Sequence, residues 1–218
     1  MIPAFERRKS TIGKRKTEQL LSYSQIKKGR VLDVGAGIGE VLDVFKDHEW
    51  ETHAIEMNPV AIDWLNKLNF NEVFHGTLDN YETNLKFDII MAWGVIEHVT
   101  EPDLFLKRIF SLLNNGGIFV SEVPHGESLL IDMVRKLNFD PKRILMGEQH
   151  IILYSTEAYI NLHLRNDFKK INVRTNGLDC DTIFKENKIS VNDDFLSSMQ
   201  ESIDNRMYGD LLRGFWKK

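Results

Sequence analysis

Apolar positions along this chain follow two alternating patterns. Short β-branched runs such as RVLDV (Arg30–Val34) and FDIIMAW (Phe87–Trp93) indicate buried strands. Between such runs the apolar residues recur at helical spacing, as at Val41, Leu42 and Phe45. Strands that alternate with helices in this way predict an α/β fold, in which a mainly parallel sheet is covered on both faces.

The other elements follow from local signals. We expect strands at 52–56, 71–75 and 117–124, and helices at 40–47, 59–68, 103–113 and 155–166. A closing hairpin is expected at 170–175 and 182–185, followed by a terminal helix over 193–216. Parallel sheets bind ligands beyond the carboxyl ends of their strands, so the chemistry should lie after Val34, Ile55, Trp93 and Val123.

Composition places the chain among ordinary globular proteins. Its 218 residues are 42% hydrophobic and 28% charged, which favours a single folded domain. The longest apolar run, at 89–96, is far shorter than the roughly 20 residues of a transmembrane helix. The first ten residues lack the apolar core of a signal peptide, and the single cysteine, Cys180, excludes an internal disulfide. These features predict a cytoplasmic protein.

Charge divides the chain into two parts. Residues 1–30 carry nine basic and two acidic side chains, a net charge of +7, whereas the other 188 residues have a net charge of −11. The division predicts a basic arm and helix at 1–29, ahead of a domain at 30–218. A uniformly basic nucleic-acid-binding domain is excluded. The arm's basic residues between 7 and 16 are suited to clamping an anionic molecule, and a solvated terminus is the alternative.

The stretch VLDVGAGIGE (Val31–Glu40) carries the clearest chemistry. Gly35, Gly37 and Gly39 form a G-x-G-x-G ladder between a strand and a helix, which differs from the G-x-G-x-x-G of dinucleotide-binding loops. Asp33 precedes the ladder, where a carboxylate would repel a pyrophosphate but suits a cationic ligand. Glu56 ends the second strand, where an acid can accept the hydroxyls of a ribose. A nucleoside with a cationic amino-acid tail fits both carboxylates, and S-adenosylmethionine (SAM) is such a ligand.

Four segments together resemble a known family. VLDVGAGIG, AIEMNP (Ala54–Pro59), FDIIMAWGVIEHV (Phe87–Val99) and LLNNGGIFVSEVP (Leu112–Pro124) resemble the class I SAM-dependent methyltransferases. Within that class the chain is most similar to the small-molecule branch that includes the ubiquinone-biosynthesis O-methyltransferases. The resemblance implies a Rossmann-like α/β fold with a seven-stranded, mainly parallel sheet and helices on both faces. It also implies SAM as the cofactor and S-adenosylhomocysteine (SAH) as its product.

The resemblance assigns cofactor contacts residue by residue. The glycine loop would line the methionine part of SAM, and Asp33 would hold its ammonium group. Glu56 would bind the ribose and Met57 would pack on the adenine. The full set of expected cofactor residues is Asp33, Gly35, Ala36, Gly37, Gly39, Glu56, Met57, Leu78, Asp79, Ala92 and Trp93. A turn or packing role is the alternative for Met57 and Asp79.

Histidines are the candidates for the general base that removes a proton from the methyl acceptor, because an imidazole is an effective base near neutral pH. We expect the catalytic base among His150, His98 and His125, and a structural hydrogen bond is the alternative for each. In the ubiquinone-type enzymes that the chain resembles, the residues matching Glu97 and His98 belong to a divalent-metal site. That site also uses an acid where this chain has Gly94, so no metal is expected here.

The sequence gives the least information about the molecule that accepts the methyl group. An insertion near 125–150 contains an amphipathic helix at 128–139, with Leu129, Met133 and Leu137 on one face, and is expected to act as a lid. The carboxyl-terminal segment is similar to tails of surface-polysaccharide methyltransferases. We therefore expect methylation of a small anionic molecule, at a hydroxyl of a sugar, nucleotide-linked or phosphorylated metabolite. RNA methylation through the arm, an NAD-dependent oxidoreductase and a non-catalytic SAM-binding protein are alternatives. Nucleic-acid and membrane partners are not expected, and the oligomeric state is open.

Overall fold

A computed structural model describes residues 2–137 and 150–218. Its strands are β1 (Arg30–Val34), β2 (Glu51–Glu56), β3 (Glu72–His75), β4 (Phe87–Trp93), β5 (Leu113–Pro124), β6 (Lys169–Asn176) and β7 (Leu211–Lys217). They form one sheet in the order β3-β2-β1-β4-β5-β7-β6. Strands β1 to β5 are parallel, and β7 runs antiparallel to both of its neighbours, β5 and β6. The predicted seven-stranded, mainly parallel sheet is confirmed.

Helices cover both faces of this sheet. They are α1 (Phe5–Arg8), α2 (Lys14–Ser22), α3 (Glu40–Asp47), α4 (Pro59–Leu65), α5 (Pro102–Leu112), α6 (Leu129–Leu137), α7 (Thr156–Leu164), α8 (Asp179–Glu186) and α9 (Asp193–Asn205). A π-helical turn joins α1 to α2, and 3-10 turns lie at Ile2–Ala4, Asn66–Leu68, Leu78–Asn80 and Ile96–His98. Within the described ranges, no helix is long and apolar enough to cross a membrane.

The central strands are buried on both faces, as their continuous apolar sequences predicted. Leu32 and Ile90 point to one side of the sheet, where α5 and α7 contribute to the core. Val31 and Ile89 point to the other side, where α2 and α3 pack. Each of these four side chains is fully buried. Burial on both sides makes the carboxyl edge of β1 and β4 a rigid support for the site.

Local signals correctly predicted where two of the helices begin. The Asn58 side chain accepts hydrogen bonds from the backbone N–H groups of Val60 and Ala61, and Pro59 occupies the first position of α4. The Ser155 hydroxyl accepts from the N–H of Ala158 at the start of α7. Such caps use only neighbouring residues, which is why the sequence reveals them.

Two predictions in the carboxyl-terminal third are wrong. Residues 182–185 lie within helix α8 and do not form a strand. The helix expected over 193–216 ends at Asn205, and strand β7 follows it. β7 inserts between β5 and β6, where Phe215 and Trp216 are fully buried. A position inside the sheet therefore overrides the helical spacing that the sequence shows.

The basic arm is helical and packs on the acidic side of α3. Arg8 pairs with Glu40, and the Lys9 ammonium lies 2.7 Å from Asp43 and 2.6 Å from Asp47. The Phe5 ring also meets the edge of a tryptophan, Trp64, at 5.2 Å. Several of the arm's charges therefore attach it to the body of the protein.

Part of the expected lid is described. In α6, Leu130 and Ile131 are buried, with Leu153 and Ile183 packed against them, so the helix rests on the segment before α7 and on α8. Leu129 and Met133, which belong to the predicted apolar face, are only partly buried. Residues 138–149, which the expected lid also includes, lie outside the described residues.

Candidate functional site

The glycine loop between β1 and α3 places backbone amides at the carboxyl edge of the sheet. Gly35, Gly37 and Gly39 have φ angles of 72°, 57° and 76°, the left-handed region that glycine adopts without steric cost. The N–H groups of Gly35 and Ala36 both donate to the carbonyl of Ile55, at 2.8 and 3.0 Å. The loop is thereby tied to β2, and Gly37 faces open space.

Glu56 lies against this loop at the end of β2. Its Oε2 accepts from the Gly37 N–H at 2.7 Å, and its Oε1 accepts from the N–H groups of Met57 and Asn58 at 2.8 Å each. A carboxylate offers about four acceptor positions, so three are already used. The geometry leaves room for one ribose hydroxyl on Oε2, and a second hydroxyl would have to displace the Gly37 N–H.

A cavity of about 430 Å³ opens beside Glu56. Three of the expected cofactor residues, Met57, Leu78 and Asp79, line it, and His98 lies on its wall. Leu78 is buried, whereas the Met57 side chain is 68% exposed and forms an apolar flank that a planar base can cover. The cavity is therefore suited to a nucleoside.

A second cavity, of about 170 Å³, meets the first at Gly35. Its lining includes Asp33, Ala36, Gly37 and Trp93. Asp33 is 2% exposed, and its Oδ1 has no hydrogen-bond partner among the described residues. Burial raises the pKa of this carboxyl well above its usual range, and Glu40 raises it further. A cationic group entering this cavity would offset the cost of the unpaired carboxylate.

The basic arm forms one wall of the second cavity. Arg8 and Lys16 line it together with Glu40, and the Lys16 ammonium lies 4.1 Å from the centre of a Trp93 ring. Lys16 also donates to Glu122 at 2.9 Å. Burial lowers the pKa of Lys16, but its neighbour Glu122 opposes this effect.

Glu122 joins the arm to the far half of the sheet. Its other oxygen accepts from Arg213 on β7, whose guanidinium also donates to Gln19 of α2. Burial alone would raise the pKa of Glu122, but Lys16 and Arg213 hold it at about 2. The result is a buried, ionised network beside the second cavity, which we call the methionine-sized cavity.

Two of the predicted cofactor residues do not line either cavity. Gly39 caps α3, and Ala92 is fully buried in the sheet between β1 and β5. Each supports a lining neighbour, since Gly39 shapes the loop and Ala92 precedes Trp93.

His125 has a structural position. It is fully buried, its Nδ1 bonds the carbonyl of Gly209 at 2.9 Å, and its Nε2 lies 3.1 Å from the Thr156 hydroxyl. Burial lowers its pKa. With both ring nitrogens engaged, His125 holds the end of β5 to α7 and has no surface for an acceptor.

The other two histidine candidates come together. The rings of His98 and His150 are 5.1 Å apart, beside Glu97 in the turn after β4. Glu97 is 2% exposed, and burial raises its pKa to about 7. The sequence points to Glu97 only through the family resemblance. Nothing in the sequence indicates that His98 lies beside His150, which is 52 positions later.

Comparison with known proteins shows which family the chain resembles. Residues 5–173 match the family model of the methyltransferase domain. A ubiquinone biosynthesis O-methyltransferase of Nitrobacter winogradskyi is 29% identical over 99 residues, which cover 42% of this chain and 37% of that protein. The chain therefore matches well under two thirds of the length of this relative.

Solved structures show that the fold of nearly the whole chain is similar to that of known methyltransferases. A SAM-dependent methyltransferase of Thermotoga maritima, described as a possible histamine N-methyltransferase, superposes with a TM-score of 0.66 at 18% identity, over 100% of this chain and 96% of that one. The plantazolicin methyltransferase BpumL in complex with SAH gives 0.65 at 15% identity, over 98% and 84%. The family model covers most of the chain, so the chain belongs to the methyltransferase domain family, and it has the fold of the SAM-dependent methyltransferases on which it superposes.

Proposed function

We propose that this chain transfers the methyl group of SAM to a small polar acceptor. The observation that carries the proposal is the pair of joined cavities, with an unpartnered buried carboxylate, Asp33, in one and Glu56 beside the other. In this arrangement Asp33 holds the ammonium group of SAM, Glu56 holds a ribose hydroxyl, and the adenine lies beside Met57, Leu78 and Asp79. Lys16 and Arg8 also line the cavity that contains Asp33, where each is already paired with a glutamate of the protein.

The reaction is a direct displacement. The acceptor's lone pair forms a bond to the methyl carbon, the carbon–sulfur bond breaks, and its electron pair neutralises the sulfonium to give SAH. Alignment of acceptor, methyl and sulfur supplies most of the acceleration, up to roughly 7–11 kcal/mol in ideal cases. A hydroxyl acceptor must also lose a proton, and His98, which lines the cavity beside Glu56, can assist together with the adjacent His150.

For the acceptor we favour a sugar, nucleotide-linked or phosphorylated metabolite, of the surface-polysaccharide type. A cavity of about 520 Å³ lies between the arm, β6 and helices α8 and α9, and exposed Arg15 and Arg174 on its wall can contact an anionic group. This cavity opens at the carboxyl end of β6, the edge of the sheet that also carries the cofactor cavities.

A second acceptor class follows from the same wall. Asp181, Asp193, Glu201 and Asp204 also line this cavity and outnumber its two arginines. Carboxylates attract ammonium groups, so an amine acceptor and methylation at nitrogen form the rival proposal. RNA is disfavoured, because Arg8, Lys9 and Lys16 of the arm are already paired within the protein.

Calorimetry with SAM tests the cofactor geometry. Glu56→Ala should weaken SAM binding roughly tenfold or more, a loss of about 1.4 kcal/mol, since it removes the ribose acceptor and the anchor of the Gly37 N–H. Glu51→Ala is the matched control, because Glu51 begins the same strand and pairs with Arg30. Unchanged affinity in Glu56→Ala would refute the cofactor geometry.

Formation of SAH from a panel of acceptors tests the reaction. The panel should contain nucleotide sugars, sugar phosphates, catechols, primary amines and an RNA oligonucleotide. His98→Ala and His150→Ala should each lower turnover about 10²-fold or more with little change in SAM affinity. Turnover with amines alone would select the rival acceptor class, and wild-type turnover in both variants would remove the histidines from the mechanism.

A further inference from the structure

Glu97, His98 and His150 form a cluster at the mouth of the cofactor cavity. One potential ligand atom of each lies within 4.8 Å of the other two. The His98 Nε2 is 3.9 Å from the Glu97 Oε1, and the imidazole rings are tilted by 55° to each other. Two imidazoles and one carboxylate this close together are a donor set for a divalent cation.

The backbone fixes His150 beside the turn after β4. The carbonyl of Glu97 accepts hydrogen bonds from the N–H groups of Ile151 and Ile152, at 2.9 and 3.2 Å. These bonds attach the segment before α7 to the 3-10 turn that carries Glu97 and His98. The third donor is thus held by two main-chain bonds and does not depend on a chance approach of side chains.

The Glu97 carboxyl supplies a second, independent sign of a ligand. It is 2% exposed, and its Oε2 is buried with no hydrogen-bond partner in residues 2–137 or 150–218. A buried carboxyl in that state costs free energy unless a partner is present. Gly94 adds space on the same side, because a Cβ at that position would lie 3.4 Å from the Glu97 Oε1.

We propose that Glu97, His98 and His150 bind a divalent transition-metal ion beside the acceptor. The expectation of no metal depended on Gly94, which replaces the acid of the ubiquinone-type enzymes. In this chain His150 supplies the third donor from a different part of the sequence. The set changes from mainly oxygen donors to two nitrogens and one oxygen, which favours Zn²⁺, Co²⁺ or Ni²⁺ over Mg²⁺.

The position of the cluster gives the ion a role. His98 lines the cavity beside Glu56, so an ion held by the three residues would lie beside the cofactor, where a reacting group of the acceptor must approach it. Three protein donors would leave coordination positions open to an acceptor hydroxyl. The ion, in place of a free imidazole, would then make that hydroxyl's proton easier to lose to water. This catalytic part of the inference rests on the proposed function, whereas the metal site itself does not.

Metal titration of the untagged, full-length protein after treatment with chelator tests the site. We expect one Co²⁺ per chain with visible absorption bands, and calorimetry should show Zn²⁺ binding roughly a hundredfold tighter than Mg²⁺. His150→Ala and His98→Ala should each weaken Zn²⁺ binding roughly tenfold or more, and Glu97→Gln should also weaken it. His48→Ala, which removes an exposed histidine directly after α3, is the control and should bind Zn²⁺ normally.

SAM calorimetry on the metal-free protein separates the two proposals. Wild-type Zn²⁺ affinity in His150→Ala, or a preference for Mg²⁺, would overturn the metal site even if SAM binds normally. Failure to bind SAM with intact metal binding would overturn the proposed function and leave the site standing. If His150→Ala is poorly folded, the Co²⁺ spectrum of His150→Asp, which keeps a donor, should show a shifted band and not its loss.

Discussion

The two halves of this sheet make their sites by different means. Around β1, β2 and β4, the cofactor cavity is built from backbone amides and from short-range partners, such as Glu56 and the Gly37 N–H, which are 19 residues apart. Around β5, β6 and β7, buried polar side chains meet over long distances in sequence. Glu122 joins Lys16 across 106 residues, and Arg213 reaches Gln19 across 194.

The difference explains which chemistry a sequence displays. A loop that must offer amides needs glycine at fixed spacing, and that spacing is visible in one short stretch. A buried network such as Ser121, Tyr159 and His163 needs only compatible partners from distant elements. The cofactor half should therefore respond mainly to changes of backbone shape, and the β5–β7 half to changes of charge and pH.

The largest effect should come from the ion pair that links the halves. Lys16→Met leaves Glu122 buried with one cation fewer, and should lower the free energy of unfolding by about 3 kcal/mol. Lys9→Met removes an ammonium that pairs nearer the surface, and should cost about 1 kcal/mol or less. Denaturant unfolding of both variants measures the difference. Equal losses would mean that the arm is not anchored through Glu122.

The next effect concerns acid sensitivity in the β5–β7 half. His163 is fully buried against Trp216, and burial lowers its pKa to about 3. Between pH 6.5 and 3 the unfolded chain binds a proton that the folded chain does not, so stability falls as the pH falls. The loss should approach about 1.4 kcal/mol per pH unit, or about 2 kcal/mol at pH 5.

Comparison with His163→Gln isolates this term. The variant should be less stable at pH 7.5 but should lose less stability between pH 7.5 and pH 5, as measured by urea unfolding at each pH. Parallel pH profiles for the two proteins would show that His163 is not the group responsible.

In the cofactor half, a single methyl group should be enough to impair binding. Gly35→Ala places a Cβ 2.8 Å from the Val95 Cγ2 at a φ of 72°, and should weaken SAM binding roughly tenfold, about 1.4 kcal/mol. Gly116→Ala is the matched control, because Gly116 has a φ of 80° but lies far from the cleft at the start of β5. Equal SAM affinities in the two variants would contradict the assignment of the loop.

The smallest effect should come from the surface of the β5–β7 half. Arg165 donates two hydrogen bonds of 2.7 Å to Asp103, but both side chains are well exposed. Arg165→Ala should cost less than about 1 kcal/mol, and the difference should shrink further in 1 M salt. A loss above about 2 kcal/mol, independent of salt, would show that exposed pairs matter as much as buried ones in this half.

Most of the fold could be predicted, and the misses lie in one place. Continuous apolar runs marked β1 and β4, and local signals such as Pro59 and Ser155 marked the starts of helices. The errors at 182–185 and 193–216 arose because β7 takes its strand form from its position between β5 and β6. Neighbouring residues in sequence do not contain that information.

The candidate site divides in the same way. The sequence by itself determined the glycine loop, Asp33 and Glu56, because positive φ angles and strand-end carboxylates leave local signatures. Only the tertiary structure decided that His98 meets His150 and that Lys16 closes the methionine-sized cavity. It also showed that His125 is structural. Contacts between distant elements depend on how the sheet is assembled, and the free energy of that assembly is spread over the whole core.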